Sequence, residues 1–110
     1  MRAALQIGPG QWTRPDGVAQ TLALVQQAER LDYDTLWATE DPDGWDAFAV
    51  LASLGPQTGS IRLGSGVVNP YMRHPNLIAS SIATLDRVSS GRAFLGLGRG
   101  EPDWYKTAFD

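Results

Sequence analysis

Cysteine is absent from the 110 residues. That excludes disulfides, thiolate metal ligands and cysteine nucleophiles, and it suits a reducing compartment, so the cytoplasm is the expected location. Histidine occurs once, at His74 in Arg73-His74-Pro75. A lone imidazole beside a helix-opening proline is expected to order the turn, and without cysteine it does not supply a zinc site. No apolar run approaches the ~18 residues of a membrane span. The first eight residues carry one Arg and no long apolar stretch, unlike a signal peptide. Nine basic residues stand singly against twelve acidic ones, for a net charge of −3. A nucleic-acid binder carries a basic patch, and none is present. Neither a membrane nor a nucleic acid is therefore an expected partner.

What the chain does have is punctuation. Its 12 glycines and 7 prolines fall between periodic stretches. Residues 3–8 form a short apolar run stopped by Gly8-Pro9-Gly10, which predicts a first strand followed by a polar loop. Pro15 and Asp16 open a helix over 16–31, with Val18, Leu22, Leu24, Val25, Ala28 and Leu31 as its apolar stripe. Residues 35–39 predict the second strand, with Trp37 in the core, ending in the turn cluster Glu40-Asp41-Pro42-Asp43-Gly44. Asp46 is a good N-cap for a second helix carrying Phe48, Val50, Leu51 and Leu54, closed by Gly55-Pro56. Residues 61–68 predict the third strand. Pro75 opens a third helix with Ile78, Ile82, Leu85 and Val88, closed by Ser89-Ser90-Gly91. Residues 92–97 predict the fourth strand, and a fourth helix starts at Asp103.

Strands and helices alternate, which implies parallel strands with right-handed crossovers. A doubly wound open sheet and a (β/α) barrel share this pattern, and local pattern does not separate them. In both, function sits at the carboxyl ends of the strands. There stand Trp12 after strand one and Glu40, Asp41 and Asp43 after strand two. Ser65, Gly66, Val67, Asn69 and Arg73 follow strand three, and Gly98, Arg99 and Gly100 follow strand four. Clustered carboxylates can raise one another's pKa and serve as acid or base, or they can be solvated loop charges. Gly96-Leu97-Gly98-Arg99-Gly100 has the glycines of a phosphate loop but is neither G-x-G-x-x-G nor a Walker sequence.

Residues 61–75, the run Ala83-Thr84-Leu85-Asp86 and residues 90–100 together resemble the bacterial luciferase-like family of flavin- and coenzyme F420-dependent oxidoreductases, in particular its methylenetetrahydromethanopterin reductase branch. Leu31 to Trp37 matches the family's junction between helix one and strand two. The resemblance implies a (β/α)8 barrel, of which residues 1–110 would be one partial domain, the N-terminal half with strands one to four. It implies FMN or coenzyme F420 at the carboxyl rim and hydride transfer to or from a small-molecule substrate. Ser65, Gly66, Val67, Asn69, Gly98 and Arg99 are the cofactor-binding set it implies. Gly66-Val67 matches the family's non-prolyl cis bond in a strand-three bulge, and Arg99 matches a phosphate contact. Several F420-dependent members carry a His just after strand two. Here that place holds Asp41, preceded by Glu40, so these two carboxylates are the expected proton-transfer residues.

A barrel of this kind takes roughly 250 residues. The half-length leaves three expectations open. The chain is part of such an oxidoreductase, completed by a C-terminal half and not catalytic alone. Or it is a half-barrel that forms a homo-oligomer to close the barrel. Or it is an open-sheet nucleotide-binding module using Gly96 to Gly100.

Overall fold

The computed structural model describes residues 2–42 and 44–109. Its elements are β1 (Ala4–Ile7), α1 (Pro9–Trp12), α2 (Gly17–Arg30), β2 (Thr35–Ala38), α3 (Ala47–Leu54), a 3-10 turn (Gly55–Gln57), β3 (Arg62–Ser65), α4 (Pro75–Val88), β4 (Ala93–Phe94) and α5 (Pro102–Phe109). The four strands pair in parallel in the order β1-β2-β3-β4. A doubly wound sheet reverses its order at a switch point. Sequential order, with the helices packed on one face, is the arrangement of a barrel wall.

Register decides what each face carries. Leu5, Leu36, Leu63 and Ala93 lie side by side across the sheet, and so do Ile7, Ala38 and Ser65. These rows face the helices and meet Val25, Ala28, Phe48, Val50, Leu51, Leu54, Ile78 and Leu85 in the core. Each fully buried Leu or Ile there is worth about 1.5–3 kcal/mol of transfer free energy. The alternate row, Gln6, Trp37, Gly64 and Phe94, lies on the concave face. Trp37 is 37% exposed there and is not in the helix-side core that its composition predicts. A Cβ on Gly64 would fall 2.3 Å from the Phe94 ring. Its absence lets Trp37 and Phe94 meet edge to face at 4.5 Å.

The helix stripe expected on α2 also needs correction. Gly17, Thr21, Val25 and Ala28 are buried, whereas Val18, Leu24 and Leu31 are exposed. The buried set repeats at four, four and three residues, and the exposed three are rotated off that face. On α3 the expected residues are all buried; on α4, Ile78 and Leu85 are buried and Val88 is exposed. The polar loop expected after β1 begins instead with the short helix α1. Pro9 takes its first position, and the Gln11 side chain accepts from the Gly8 amide at 2.9 Å.

Two charged side chains secure the amino-terminal end of the sheet. The Arg92 guanidinium donates to the carbonyls of Ser89, Gly55, Thr58 and Ile61 and to Thr58 Oγ1. The Glu29 carboxylate accepts from the amides of Gly59, Ser60 and Ile61. Burial pushes the Glu29 carboxyl up, but the amides of Ile61, Ser60 and Gly59 outweigh it and hold the pKa below its ordinary 4.5. A carboxylate favoured by folding contributes stability above its ordinary pKa and loses it as pH falls through the lowered folded value. Glu29→Gln is therefore expected to lower the melting temperature by a few degrees at pH 7. The gap from the parent chain should close as the pH is taken below 4.5 in a calorimetric series.

Candidate functional site

β3 runs straight only to Ser65. From the pair Gly64–Phe94 to the bridge Val68–Leu97, β3 advances four residues while β4 advances three. The extra residue makes a bulge, which bends the strand and re-aims a side chain. It holds a cis peptide between Gly66 and Val67. This explains why β3 and β4 are shorter than the eight- and six-residue strands the sequence predicts. The Gly66 amide donates to Ala38 O at 2.8 Å, so the bulge stays tied to β2. The Val67 side chain is thrown outward and is 40% exposed.

Ser65, fully buried, closes the other side. Its Oγ donates to Gly96 O at 2.9 Å and accepts from Gly96 N at 3.1 Å. The Gly98 amide donates to Val68 O at 3.0 Å. Two amides of the glycine-rich run are thus engaged in holding β4 to the bulge and do not point at a phosphate. A Cβ on Gly98 would lie 2.6 Å from Val67 Cγ2, so Val67 packs directly on this glycine. Asn69 is buried; its Nδ2 donates to Arg99 O at 3.1 Å and its Oδ1 accepts from the Tyr71 amide at 2.8 Å. It binds the two rim loops to each other. The Arg99 side chain is exposed beside this junction.

Two adjoining cavities open at the rim. One, of about 330 Å³, is lined by Gln6, Thr39, Glu40, Asp41, Pro42, Gly66, Val67, Asn69, Met72, Gly100 and Trp104. The other, of about 470 Å³, lies between Pro9, Gly10, Thr13, Asp41, Pro42, Gly44 and Trp104. Asp41, Pro42 and Trp104 belong to both. Of the expected cofactor set, Gly66, Val67 and Asn69 line the first cavity, Ser65 and Gly98 support it from behind, and Arg99 stands outside its wall.

The two expected acids have different surroundings. The Glu40 side chain is 2% exposed, and both its oxygens pair with the Arg73 guanidinium. Its Oε2 also accepts from the Ala47 amide at 2.8 Å. A carboxylate so paired acts as a strut between the end of β2, α3 and the loop after β3. Asp41 is exposed at the wall shared by both cavities. Asp43 lies outside the described residues. His74 caps α4, its Nδ1 accepting from the Asn76 amide at 3.2 Å, as its place before Pro75 implies. No cluster of three or more metal-ligating side chains occurs among the described residues.

Several lining residues escape sequence reasoning. Gln6 had a readable signal, a polar residue alternating with Leu5 and Ile7. Met72 had none, since a loop brings it in, whereas Trp104, readable as a rim tryptophan able to cover a planar ligand, does line both cavities.

Comparison with known proteins follows the same lines. The family model for luciferase-like monooxygenases matches residues 2–109. The chain belongs to the luciferase-like monooxygenase family. It is 42% identical over 86 residues to the 5,10-methylenetetrahydromethanopterin reductase of Methanolobus tindarius, covering 78% of this chain and 26% of that protein. The coenzyme F420 dependent tetrahydromethanopterin reductase of Methanopyrus kandleri superimposes with a TM-score of 0.84 at 31% identity, over 96% of this chain and 29% of that one. The oxygenating constituent of the 3,6-diketocamphane monooxygenase of Pseudomonas putida, solved with FMN, has a TM-score of 0.83. At 22% identity, over 99% of this chain and 33% of that one, it supports the fold alone. The chain thus spans about a quarter to a third of the length of these luciferase-like relatives.

Gly96 is the least replaceable glycine of the rim, because a Cβ there would lie 2.1 Å from the main-chain oxygen of Ser65. Gly96→Ala is expected to cost about 1–3 kcal/mol, as overpacking does, measurable by urea denaturation followed at the tryptophans.

Proposed function

We propose that residues 1–110 form one partial domain, the amino-terminal part of a flavin- or coenzyme F420-dependent oxidoreductase, with the cavity beside Val67 as the ring seat. The observation that carries this is the composition of that cavity. An apolar side chain projects from the bulge, and Gln6, Thr39 and Asn69 stand around it as polar edges. A flat ring with an apolar face and hydrogen-bonding edges fits such a surface. The family membership and the F420-dependent relative support the same reading.

When bound, FMN or coenzyme F420 would supply hydride transfer at the flavin N5 or deazaflavin C5. The chain's own residues supply the rest. Val67 faces the ring, with Gly98 behind it. Gly66 and Asn69 hold the bulge and its neighbouring loop in place. Arg99, on the rim outside the cavity, takes the anionic part of the cofactor. Asp41 gives or takes a proton at a small-molecule substrate in the larger cavity, while Glu40 holds the strand end from which Asp41 projects. Trp37 and Phe94, on the concave face, would be covered by a complementing C-terminal half or by a second copy of the chain. The cytoplasm is the proposed location, on the absence of cysteine.

Equilibrium dialysis of the chain against FMN and against coenzyme F420 tests the seat. Val67→Glu should weaken retention about tenfold or more, because a charge loses its water against the ring, and should leave the melting temperature nearly unchanged. Retention of neither cofactor by the parent chain would count against the reading. In an assembled enzyme, Asp41→Asn should lower turnover by about 10²–10⁴-fold and remove a limb of the pH profile. An unaltered rate and profile would exclude Asp41.

A further inference from the structure

The loop after β3 is pinned at both ends. Asn69 ties one end to Arg99 O, and Arg73 ties the other to the loop after β2. Arg73 is 10% exposed. One of its nitrogens, Nη1, pairs with Glu40 Oε1, and Nη2 donates to Glu40 Oε2 at 2.6 Å and lies 3.1 Å from Asp46 Oδ2. Its guanidinium also lies over the Phe48 ring, 5.3 Å from the centroid. Both carboxylates have second partners on α3, since Glu40 accepts from the Ala47 amide and Asp46 from the Ala49 amide at 3.0 Å. One guanidinium therefore joins the end of β2, the first turn of α3 and the approach to α4.

Glu40 is covalently next to Asp41, and Arg73 next to Met72, and both neighbours line the ring cavity. The pair thus fixes how far the Asp41 wall stands from the Val67 wall. We propose that Arg73 is a positioning residue, setting the separation between the proton-handling Asp41 and the ring seat through its paired hydrogen bonds to Glu40. This rests on the ring-seat reading above. The planar fork is essential to it, because lysine offers a point charge and cannot hold both carboxylate oxygens in one plane. The Glu40–Arg73 contact is also the place where one misplaced loop would disturb both partners of a transfer step.

Arg73→Lys is the informative variant, with Arg92→Lys as its control. Arg92 is also a multiply bonded guanidinium, with five hydrogen bonds, but it lies at the opposite end of the sheet. Arg73→Lys should weaken cofactor retention about tenfold and change the bound cofactor's absorption band. Arg92→Lys should lower the melting temperature without either effect. In the ligand-free chain, amide NMR signals of residues 39–41, 66–69, 71 and 72 should shift together in Arg73→Lys, while those of 59–61 stay in place. Glu40→Gln should reproduce the pattern. If the parent chain binds no cofactor, the ring-seat reading fails, and the NMR comparison still decides whether Arg73 fixes the two loops. Unmoved rim signals in Arg73→Lys, or retention and absorption equal to the parent's, would overturn the proposal.

Discussion

Parallel pairing in register, Ala4 against Thr35 and Thr35 against Arg62, makes every strand leave the sheet at the same rim. The helices return the chain outside the sheet, so one face is always covered and the other always curves inward. The loops that follow β1, β2, β3 and β4 then have no choice but to gather. Residues as distant in the chain as Gln6, Asp41, Val67 and Trp104 share one cavity for that reason.

The two ends of the sheet use charge in contrasting ways. At the amino-terminal end, Glu29 and Arg92 face backbone amides and carbonyls, so each charge secures a turn of the main chain. At the rim, Arg73 faces two carboxylates. Burial pushes the Asp46 carboxyl up, but the Ala49 amide and Arg73 outweigh it and hold it below its ordinary value. The hydrogen bond to Glu40 pushes the Arg73 pKa well up despite its burial. Backbone-directed charge stabilises local turns, whereas the charge pair at the rim relates one loop to another. An ion pair this enclosed contributes less to net stability than to geometry, since desolvation offsets much of its attraction.

Much of the fold was legible. The alternation of elements, the α3 core and the helix openings at Asp46 and Pro75 follow from spacing and caps. Three features were not. Val18, Leu24 and Leu31 are apolar residues on an outer helix face, so counting apolar positions widens the stripe past the real one. Trp37 lies on a strand both of whose faces carry bulky residues, and alternation alone does not say which face meets the helices. Glu40 and Arg73 are 33 residues apart, beyond any local pattern, so Glu40 looked like an acid in a turn. Gly66-Val67 stands at the bulge where the family likeness puts it, but the one-residue slip that shortens β3 and β4 is a property of the pairing and is not written in either segment alone.

Gly64 carries a wider implication. Trp37 and Phe94 meet over it, and a Cβ there would strike the Phe94 ring. Arg62 adds its guanidinium 5.1 Å from the same ring. The four positions behave as one unit of volume. Among relatives, a larger residue at position 64 should come with a smaller one at 94 or 37, and a lost aromatic at 94 with a changed partner at 62. Their side chains would therefore drift through evolution as a linked set, even where the loops above them diverge.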